Sequence, residues 1–335
     1  MDAKYYTVNA DTSITCTLCP HGCTIKNGHV GICGTRRNSN GKLVLTSEGI
    51  IASSNLDPIE KKPLYHYHPD SKIFSIGGYG CNLKCKFCQN SEISQCVPTG
   101  YSGVRDINPQ EIIDKALNLP NNLGIAYTYN EPTVFFEFML ETARRAKEAG
   151  LKNVMVTNGY INLAPLSELL GVIDAFNVDL KAFSDDFYRT MTGARLKPVL
   201  NTLDAICQAG NHLEIAFLVI PGKNDSPDEA EDMFRWISQT LGKNTVLHIN
   251  RFYPAYKFNA PPTPVEKLLE LYKIATGWLN YVYIGNVRDI NQGTNTRCPS
   301  CGSTVIKRDG YNTSLVALDS KGYCKICGYG PVVVM

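Results

Sequence analysis

The sequence has very little net charge and no long apolar segment. Its 33 Lys and Arg residues nearly balance 31 Asp and Glu residues, which leaves a net charge of +2. Because no polybasic run or acidic tail is present, charge does not indicate a nucleic acid or a membrane surface as a partner. The longest apolar runs, at 213–220 and 332–335, are far shorter than the roughly 18–20 residues that cross a bilayer. The N-terminal segment lacks the apolar stretch of a signal peptide, so we expect a cytoplasmic protein.

Internal repeats and low-complexity linkers are also missing, whereas cysteine is abundant. Apolar residues make up 44% of the 335 residues, which is enough to form a sizeable core and excludes disorder throughout the chain. The chain has 13 cysteines, and all but Cys96 and Cys207 fall into three tight clusters. Tight clusters in a cytoplasmic chain of this size indicate bound metal rather than a framework of disulfides.

Between the outer cysteine clusters, short apolar runs alternate with helical stretches six times. This pattern predicts a parallel sheet covered by helices. Six units are too few for an eight-stranded barrel and suit a partial one, with a doubly wound sheet as the alternative. In both folds the chemistry collects where the strands end. The predicted strands are 73–79, 123–128, 153–157, 175–181, 213–220 and 245–251, with 281–285 as a possible seventh, and the predicted helices are 109–119, 133–149, 163–170, 195–209, 227–241 and 264–279.

The central cysteine cluster follows the first predicted strand of this series. Cys81, Cys85 and Cys88 have C-x-x-x-C-x-x-C spacing, and a glycine-rich stretch precedes them. Three thiolates can hold three irons of a [4Fe–4S] cube and leave the fourth iron open for chemistry. The alternative is a zinc knuckle that takes a fourth ligand such as Cys96, but it does not explain why the cluster follows a strand.

This motif, with Phe87 before its third cysteine, resembles the radical S-adenosylmethionine (SAM) superfamily, whose fold is a partial (β/α)6 barrel. Further segments resemble that family's SAM-binding segments, each at or after its own predicted strand: TYNEP, TNG, DLK, IPGKND and HINRFYP. TYNEP departs from the family's usual Gly-Gly-Glu segment. The resemblance implies that the cofactor-binding residues are Phe87, Asn130, Glu131, Asn158, Asp179, Lys181, Pro221 and His248.

The chemistry of SAM agrees with the polar members of that set. SAM carries an ammonium and a carboxylate, for which we expect Glu131 and Lys181 as partners, and Asn158 suits the ribose hydroxyls. The resemblance implies an oxidoreductase that reductively cleaves SAM at a [4Fe–4S] cluster bound by Cys81, Cys85 and Cys88. The resulting 5′-deoxyadenosyl radical would abstract hydrogen from a protein or a small molecule, and a donor such as ferredoxin or flavodoxin would supply the electron.

The C-terminal cysteines form two C-x-x-C pairs separated by 22 residues, which is typical of a zinc ribbon. We expect one structural ion there, zinc rather than the iron of a rubredoxin-like site. A ribbon can bind nucleic acid, but the basic residues of this one are scattered. The four ligands would be Cys298, Cys301, Cys324 and Cys327.

The N-terminal cysteines have C-x-x-C-x-x-x-C spacing followed by a fourth cysteine, and His21 or His29 could replace one ligand. The segment is too small to build its own core, so a zinc ion that holds a loop-rich region together is the favoured interpretation. An auxiliary iron–sulfur cluster is the alternative, and the sequence does not decide between them. The four cysteines are Cys16, Cys19, Cys23 and Cys33.

Over nearly its whole length, from CPHGC through CNLKCKFCQN, RFYP and IGNV to CPSCG, the chain resembles one subgroup, the radical SAM enzyme of the AmmeMemoRadiSam system, related to pyruvate-formate-lyase activating enzyme. That resemblance implies Memo-type and AMMECR-type proteins as partners and leaves glycyl-radical formation open as the activity. The competing hypothesis is a non-catalytic metal-binding scaffold that uses its ribbon to bind a partner or nucleic acid. We expect a Cys-rich region at 1–70, the barrel at 71–290 and the ribbon module at 291–335.

Overall fold

The computed structural model describes residues 2–96, 107–288, 290 and 292–335. The segment 286–297 has a polar, irregular sequence that favours a boundary between the barrel and the ribbon module. Two of its residues, Asp289 and Asn291, lie outside the described part. Within the described ranges, every helix is too short or too polar to span a bilayer.

The N-terminal region forms five very short strands in two antiparallel sheets, one of three strands and one of two. Strands of this length bury little apolar surface, which agrees with the expectation that a metal site holds the region together. The strands are β1 (Tyr6–Val8), β2 (Ile14–Cys16), β3 (Thr24–Ile25), β4 (Arg36–Ser39) and β5 (Lys42–Leu45).

The central sheet has eight strands, and their order in the sheet follows the chain. The first strand is antiparallel to the second, and the remaining seven are parallel. All six predicted strands and the possible seventh are confirmed, whereas the antiparallel edge strand was not predicted. The strands are β6 (Ser53–Pro58), β7 (Lys72–Gly77), β8 (Asn122–Tyr127), β9 (Lys152–Thr157), β10 (Ala175–Asp179), β11 (His212–Val219), β12 (Val246–Arg251) and β13 (Tyr281–Gly285).

This strand order distinguishes the two folds that the sequence allowed. A doubly wound sheet reverses its strand order at a switch point, but here each strand pairs with the next one along the chain from β6 to β13. One longer helix lies between each pair of neighbouring parallel strands, which gives six strand–helix–strand steps. The partial (β/α)6 architecture is therefore confirmed, and all carboxyl ends of β7–β13 lie at one edge.

Helix starts follow the chemistry expected from the sequence. Asn108 forms a capping box with Glu111 in front of Pro109, and Pro227 is likewise a first helical residue. Pro132 begins a short 3₁₀ turn that leads into a helix. The helices are α1 (Ser91–Ser94), α2 (Pro109–Asn118), α3 (Phe136–Glu148), α4 (Leu163–Leu170), α5 (Asp185–Phe187), α6 (Leu196–Gln208), α7 (Pro227–Trp236) and α8 (Val265–Ala275).

The segment 59–68, between β6 and β7, crosses the central sheet. Asn177 donates its side-chain amide to Pro63 O at 2.8 Å. Glu214, the register partner of Asn177 on the neighbouring strand, accepts from the backbone N–H groups of Tyr65 and His66. Buried polar side chains on two neighbouring strands therefore hold the segment in place by hydrogen bonds to its backbone.

The C-terminal module packs against both the sheet and this crossing segment. It has three antiparallel strands, β14 (Thr296–Arg297), β15 (Thr304–Asp309) and β16 (Asn312–Leu315). Arg308 donates to Tyr65 O at 2.8 Å, and Val334 N donates to His66 O at 2.8 Å. The C-terminal module is thus held to the sheet through the segment 59–68.

Candidate active site and cysteine clusters

The three central cysteines lie in the loop after β7, at the carboxyl edge of the sheet. Cys81 and Cys85 are buried and Cys88 is half-buried. The preceding backbone runs so close to the next strand's loop that a Cβ on Gly77 would lie 2.6 Å from Thr128 O. The glycine is therefore required for this approach, and the three thiols face one cavity.

That cavity measures about 1860 Å³, including its open mouth. It brings together residues that are far apart in the chain, including all predicted cofactor-binding residues except Pro221. Because three thiols and, among the described residues, no fourth cysteine line it, the donor set fits a cube with one open iron. The predicted residues that line the cavity are Cys81, Cys85, Cys88, Phe87, Asn130, Glu131, Asn158, Asp179, Lys181 and His248.

Asn130 uses its side-chain amide to hold the loop in front of the cysteines. Its oxygen accepts from Gly78 N at 3.1 Å, and its nitrogen donates to Gly80 O at 2.9 Å. Gly80 has a φ of 85°, which favours glycine. Asn130 therefore positions the cysteine loop.

Glu131 is 2% exposed, and its carboxylate is occupied by donors from the chain itself. Oε1 accepts from the backbone and hydroxyl of Thr133 and from the Thr157 hydroxyl, at 2.6 to 3.0 Å. Oε2 accepts from Asn158 N at 2.8 Å. Burial raises the pKa of Glu131, and these hydrogen bonds oppose the rise. The carboxylate thus fixes the turns after β8 and β9.

Asn158 links this network to the cysteine loop. Its side-chain nitrogen donates to Asn82 Oδ1 at 2.9 Å and lies 3.7 Å from Cys81 Sγ. Asn82 in turn donates to Tyr160 O at 2.7 Å. The residue predicted to contact the ribose therefore also contacts the first thiol.

Lys181 and Asp179 lie together where β10 ends. Lys181 Nζ is 2.9 Å from Asp179 Oδ2, and the lysine side chain is 14% exposed whereas the aspartate side chain is 41% exposed. Burial lowers the pKa of Lys181, but the Asp179 carboxylate and the Cys85 thiol outweigh it and raise the pKa above its usual value. Lys181 therefore offers a buried ammonium next to Asp179.

His248 lies deeper in the barrel and contacts a buried carboxylate. Its Nε2 atom is 2.6 Å from Glu214 Oε2, and its ring stacks on Tyr283 with centroids 5.5 Å apart. Burial raises the pKa of Glu214, but hydrogen bonds from His212 and His248 hold it well below its usual range. His248 is thus oriented by packing and by a carboxylate.

One part of the cavity wall was not predicted from the sequence. Lys62, Tyr65 and Tyr311 line it, and they come from the crossing segment and from the turn between β15 and β16. Lys62 Nζ lies 2.7 Å from Asp57 Oδ2 and 4.6 Å from the Tyr129 ring centroid. Burial lowers the pKa of Lys62 to about 8, although Asp57 opposes this. Lys62, Tyr65 and Tyr311 belong to no sequence motif. Tyr129, which contacts Lys62, belongs to the TYNEP segment.

The C-terminal cysteines form a compact group. Cys298 and Cys327 have their sulfur atoms 3.6 Å apart, and those of Cys301 and Cys324 are 3.8 Å apart. A tetrahedral site with metal–sulfur bonds of about 2.3 Å places its sulfur atoms about 3.8 Å apart. The four predicted ligands therefore fit one metal ion.

The N-terminal cysteines also converge. Cys16, Cys19, Cys23 and Cys33 line one pocket, together with His21, Arg36 and Asn82. His29 is exposed, and its Nδ1 atom lies 3.0 Å from Asn27 O. Cys207 lies elsewhere, with its thiol 3.5 Å from Leu241 O.

Comparison with known proteins agrees with this geometry. The sequence model of the Radical SAM superfamily matches residues 75–237. An uncharacterized protein of Methanocaldococcus jannaschii is 42% identical over 330 residues, which cover 98% of this chain and 97% of that protein. The pyruvate formate-lyase-activating enzyme of Clostridium pasteurianum is 23% identical over 58% of this chain and 86% of its own length. The benzylsuccinate synthase activating enzyme of Thauera aromatica is 22% identical, covering 58% of this chain and 63% of that enzyme.

Solved structures agree on the fold. A radical SAM methyltransferase from Sphaerobacter thermophilus is similar with a TM-score of 0.50 at 17% identity, covering 65% of this chain and 67% of its own. SuiB of Streptococcus suis bound to S-adenosylmethionine has a TM-score of 0.50 at 14% identity, covering 63% of this chain and 49% of its own. The chain belongs to the radical SAM superfamily and is homologous to pyruvate formate-lyase activating enzymes.

Proposed function

We propose that this radical SAM enzyme abstracts hydrogen from a substrate bound at the wall of the cavity formed by Lys62, Tyr65 and Tyr311. The carrying observation is that one continuous cavity joins this wall to Cys81, Cys85 and Cys88. When bound, the family's [4Fe–4S] cluster and SAM supply a 5′-deoxyadenosyl radical by one-electron cleavage of the sulfonium. In this proposal the three cysteines hold the cluster.

The remaining side chains bind or orient the cofactor. Lys181 offers a buried cation for the SAM carboxylate, and Asn158 offers an amide for the ribose. Glu131 acts by positioning Asn158, because its four accepted hydrogen bonds come from the chain. A direct contact of Glu131 with the ammonium stays a prediction, as do the contacts of Phe87 and Pro221.

The wall formed by Lys62, Tyr65 and Tyr311 favours a small polar substrate. The crossing segment and the ribbon close this end of the cavity, since Arg308 and Thr313 of the ribbon contact Tyr65 and Glu60. The wall carries the Lys62 ammonium and the hydroxyls of Tyr65 and Tyr311, and Lys61 and Glu60 line the cavity next to it. Two cationic groups suit a molecule with an anionic or carbonyl group. The alternative is activation of a protein by glycyl-radical formation, which the similarity to two activating enzymes supports.

A fractionated cell extract tests this choice. Ultrafiltration separates small molecules from proteins, and each fraction is added to anaerobic enzyme with SAM and dithionite. We expect the small-molecule fraction to raise the rate of 5′-deoxyadenosine formation above the uncoupled rate. Stimulation by the protein fraction alone, with a glycyl-radical signal in electron paramagnetic resonance, would establish the activating-enzyme alternative. No stimulation by either fraction would contradict both.

A variant in the wall and a matched control outside it test this assignment. Tyr311→Ala should lower the stimulated rate, because Tyr311 lines the cavity. Leu315→Ala removes an exposed side chain from the neighbouring strand β16 and should not lower it. Equal stimulation of both variants would contradict the assignment of this wall to the substrate.

The outer regions enter the proposal as supporting modules. The C-terminal sulfur spacing supports zinc, though iron would fit the same ligands. We retain the division into 1–70, 71–290 and 291–335, with β6 of the first region added to the barrel sheet. The AmmeMemoRadiSam subgroup, its Memo-type and AMMECR-type partners, a ferredoxin or flavodoxin donor and a cytoplasmic location stay predictions.

A further inference from the structure

The spacing of the N-terminal cysteines differs from that of the C-terminal ones. Across the described residues, the C-terminal four are the only group of three or more Cys, His, Asp or Glu ligand atoms that all lie within 4.8 Å of one another. No three sulfur atoms among Cys16, Cys19, Cys23 and Cys33 are that close, although all four line one pocket. A single zinc ion would require the tighter arrangement.

The catalytic cysteines of the same chain also have widely spaced sulfur atoms. Cys81, Cys85 and Cys88, which belong to the family's cluster motif, also line one cavity without forming such a tight group. In a cube each thiolate binds a different iron, so the sulfur atoms stand farther apart than around one ion. The N-terminal set shares this wider arrangement, and its four thiols line one pocket that is partly open to solvent.

Arg36 in the pocket wall has a buried nitrogen without a hydrogen-bond partner. Its side chain is 1% exposed, and its two terminal nitrogens bind Glu137 at 3.1 and 2.8 Å. The third nitrogen, Nε, is buried with no hydrogen-bond partner. A buried donor without a partner is costly. An anionic iron–sulfur cluster in this pocket would provide sulfur acceptors for it.

The pocket borders the loop that carries the catalytic cysteines. Asn82, which follows Cys81, is part of the pocket wall. His21, between Cys19 and Cys23, has its Nε2 atom 2.7 Å from Asn82 O. A single hydrogen bond therefore connects the N-terminal cysteine segment to the backbone that carries Cys81.

We propose that Cys16, Cys19, Cys23 and Cys33 bind a second [4Fe–4S] cluster that passes electrons to the catalytic cluster through His21 and Asn82. The transfer part of this inference rests on the proposed function. Because four cysteines fill all four iron positions, this cluster has no open site for substrate and suits electron transfer. One electron from a reduced ferredoxin-type donor takes it from the 2+ to the 1+ state. The same electron then reduces the catalytic cluster from 2+ to 1+ and returns the first cluster to 2+.

Metal analysis of a variant that lacks the catalytic cluster tests the site. After anaerobic reconstitution of the full chain carrying Cys81→Ala, Cys85→Ala and Cys88→Ala, we expect about four irons and four sulfides per chain at the N-terminal site. Dithionite should then produce the paramagnetic signal of a reduced [4Fe–4S] cluster. Zinc without sulfide would overturn the proposal. Since this readout needs no SAM cleavage, it is independent of the proposed function.

A second variant tests the electron path without removing a ligand. His21→Phe keeps an aromatic ring but removes the hydrogen bond to Asn82, and iron content should be unchanged. We expect reduced ferredoxin to reduce the catalytic cluster at least tenfold more slowly in this variant. Dithionite, which can reach the catalytic cavity directly, should still support SAM cleavage. An unchanged rate with ferredoxin would overturn the path, whereas loss of cleavage with dithionite in the unsubstituted protein would instead refute the proposed function.

Discussion

Replacing Glu131 by Gln or by Ala separates two roles for this carboxylate, positioning Asn158 or binding SAM directly. Oε1 accepts three hydrogen bonds from Thr133 and Thr157, and Oε2 accepts one from Asn158 N. Gln keeps one oxygen for three donors and places an NH₂ group where Oε2 accepts, so one hydrogen bond is lost. Ala leaves all four donors without this acceptor.

The expected magnitudes follow from these hydrogen bonds. One lost hydrogen bond to a carboxylate costs about 1.5–3 kcal/mol of stability, but Glu131→Gln keeps three of the four hydrogen bonds that hold the turns, so its SAM binding should weaken far less than that of Glu131→Ala. Four buried donors left unpaired cost about 1 kcal/mol each at the low end, so Glu131→Ala should lower the free energy of unfolding by roughly 4 kcal/mol. The turn that carries Asn158 should then lose its position, and SAM binding should weaken by well over tenfold.

The assay is SAM binding by calorimetry to anaerobic protein whose iron content has been checked, together with unfolding in urea. Glu92→Ala, which removes an exposed carboxylate from α1, is the matched control and should match the unsubstituted protein. If Glu131 bound the ammonium directly, Gln would remove a charged hydrogen bond worth about 1.5–3 kcal/mol and bind SAM about as weakly as Ala. Equal losses in the two variants would therefore refute the positioning role.

Two further predictions concern Lys181 and the ribbon. Lys181→Met should weaken SAM binding by about tenfold or more, because a charged hydrogen bond is worth about 1.5–3 kcal/mol. Unchanged affinity in calorimetry would mean that Lys181 pairs only with Asp179. Cys324→Ser should release the C-terminal ion in metal analysis and lower the melting temperature, because metal binding supplies much of the folding energy of so small a module. Uncoupled SAM cleavage should persist in this variant, and its loss with the catalytic cluster intact would contradict a structural role.

The parallel strands could be predicted because each is a short apolar run next to turn residues. In β7 five of six residues are buried, which is typical of strands covered on both faces. The edge strand β6 was missed because its sequence, SSNLDP, is mostly polar and ends in proline, and such a strand pairs on one side only. The short strands β1–β5 lack a recognisable pattern because their length gives hydrophobic periodicity no room to develop.

Cavity residues could be predicted from the sequence where they belong to a recognisable motif. The cysteines and the residues after β8, β9 and β10 each follow a strand, and parallel strands bring their ends together. The cavity wall formed by Lys62, Tyr65 and Tyr311 was not predictable, because Lys62 and Tyr311 lie far apart in the chain and meet only through tertiary packing. The occupied carboxylate of Glu131 also depends on hydrogen bonds to Thr157 and Asn158 that no local pattern specifies.

The most direct test of the central claim is the amount of 5′-deoxyadenosine that anaerobic, iron-loaded and dithionite-reduced protein forms from SAM. We predict equal amounts of 5′-deoxyadenosine and methionine from the unsubstituted protein. No product is expected from Cys81→Ala, Cys85→Ala or Cys88→Ala, because two thiolates do not hold the catalytic cube firmly. Normal cleavage by any two of these three variants would contradict the assignment of the catalytic cluster to this loop.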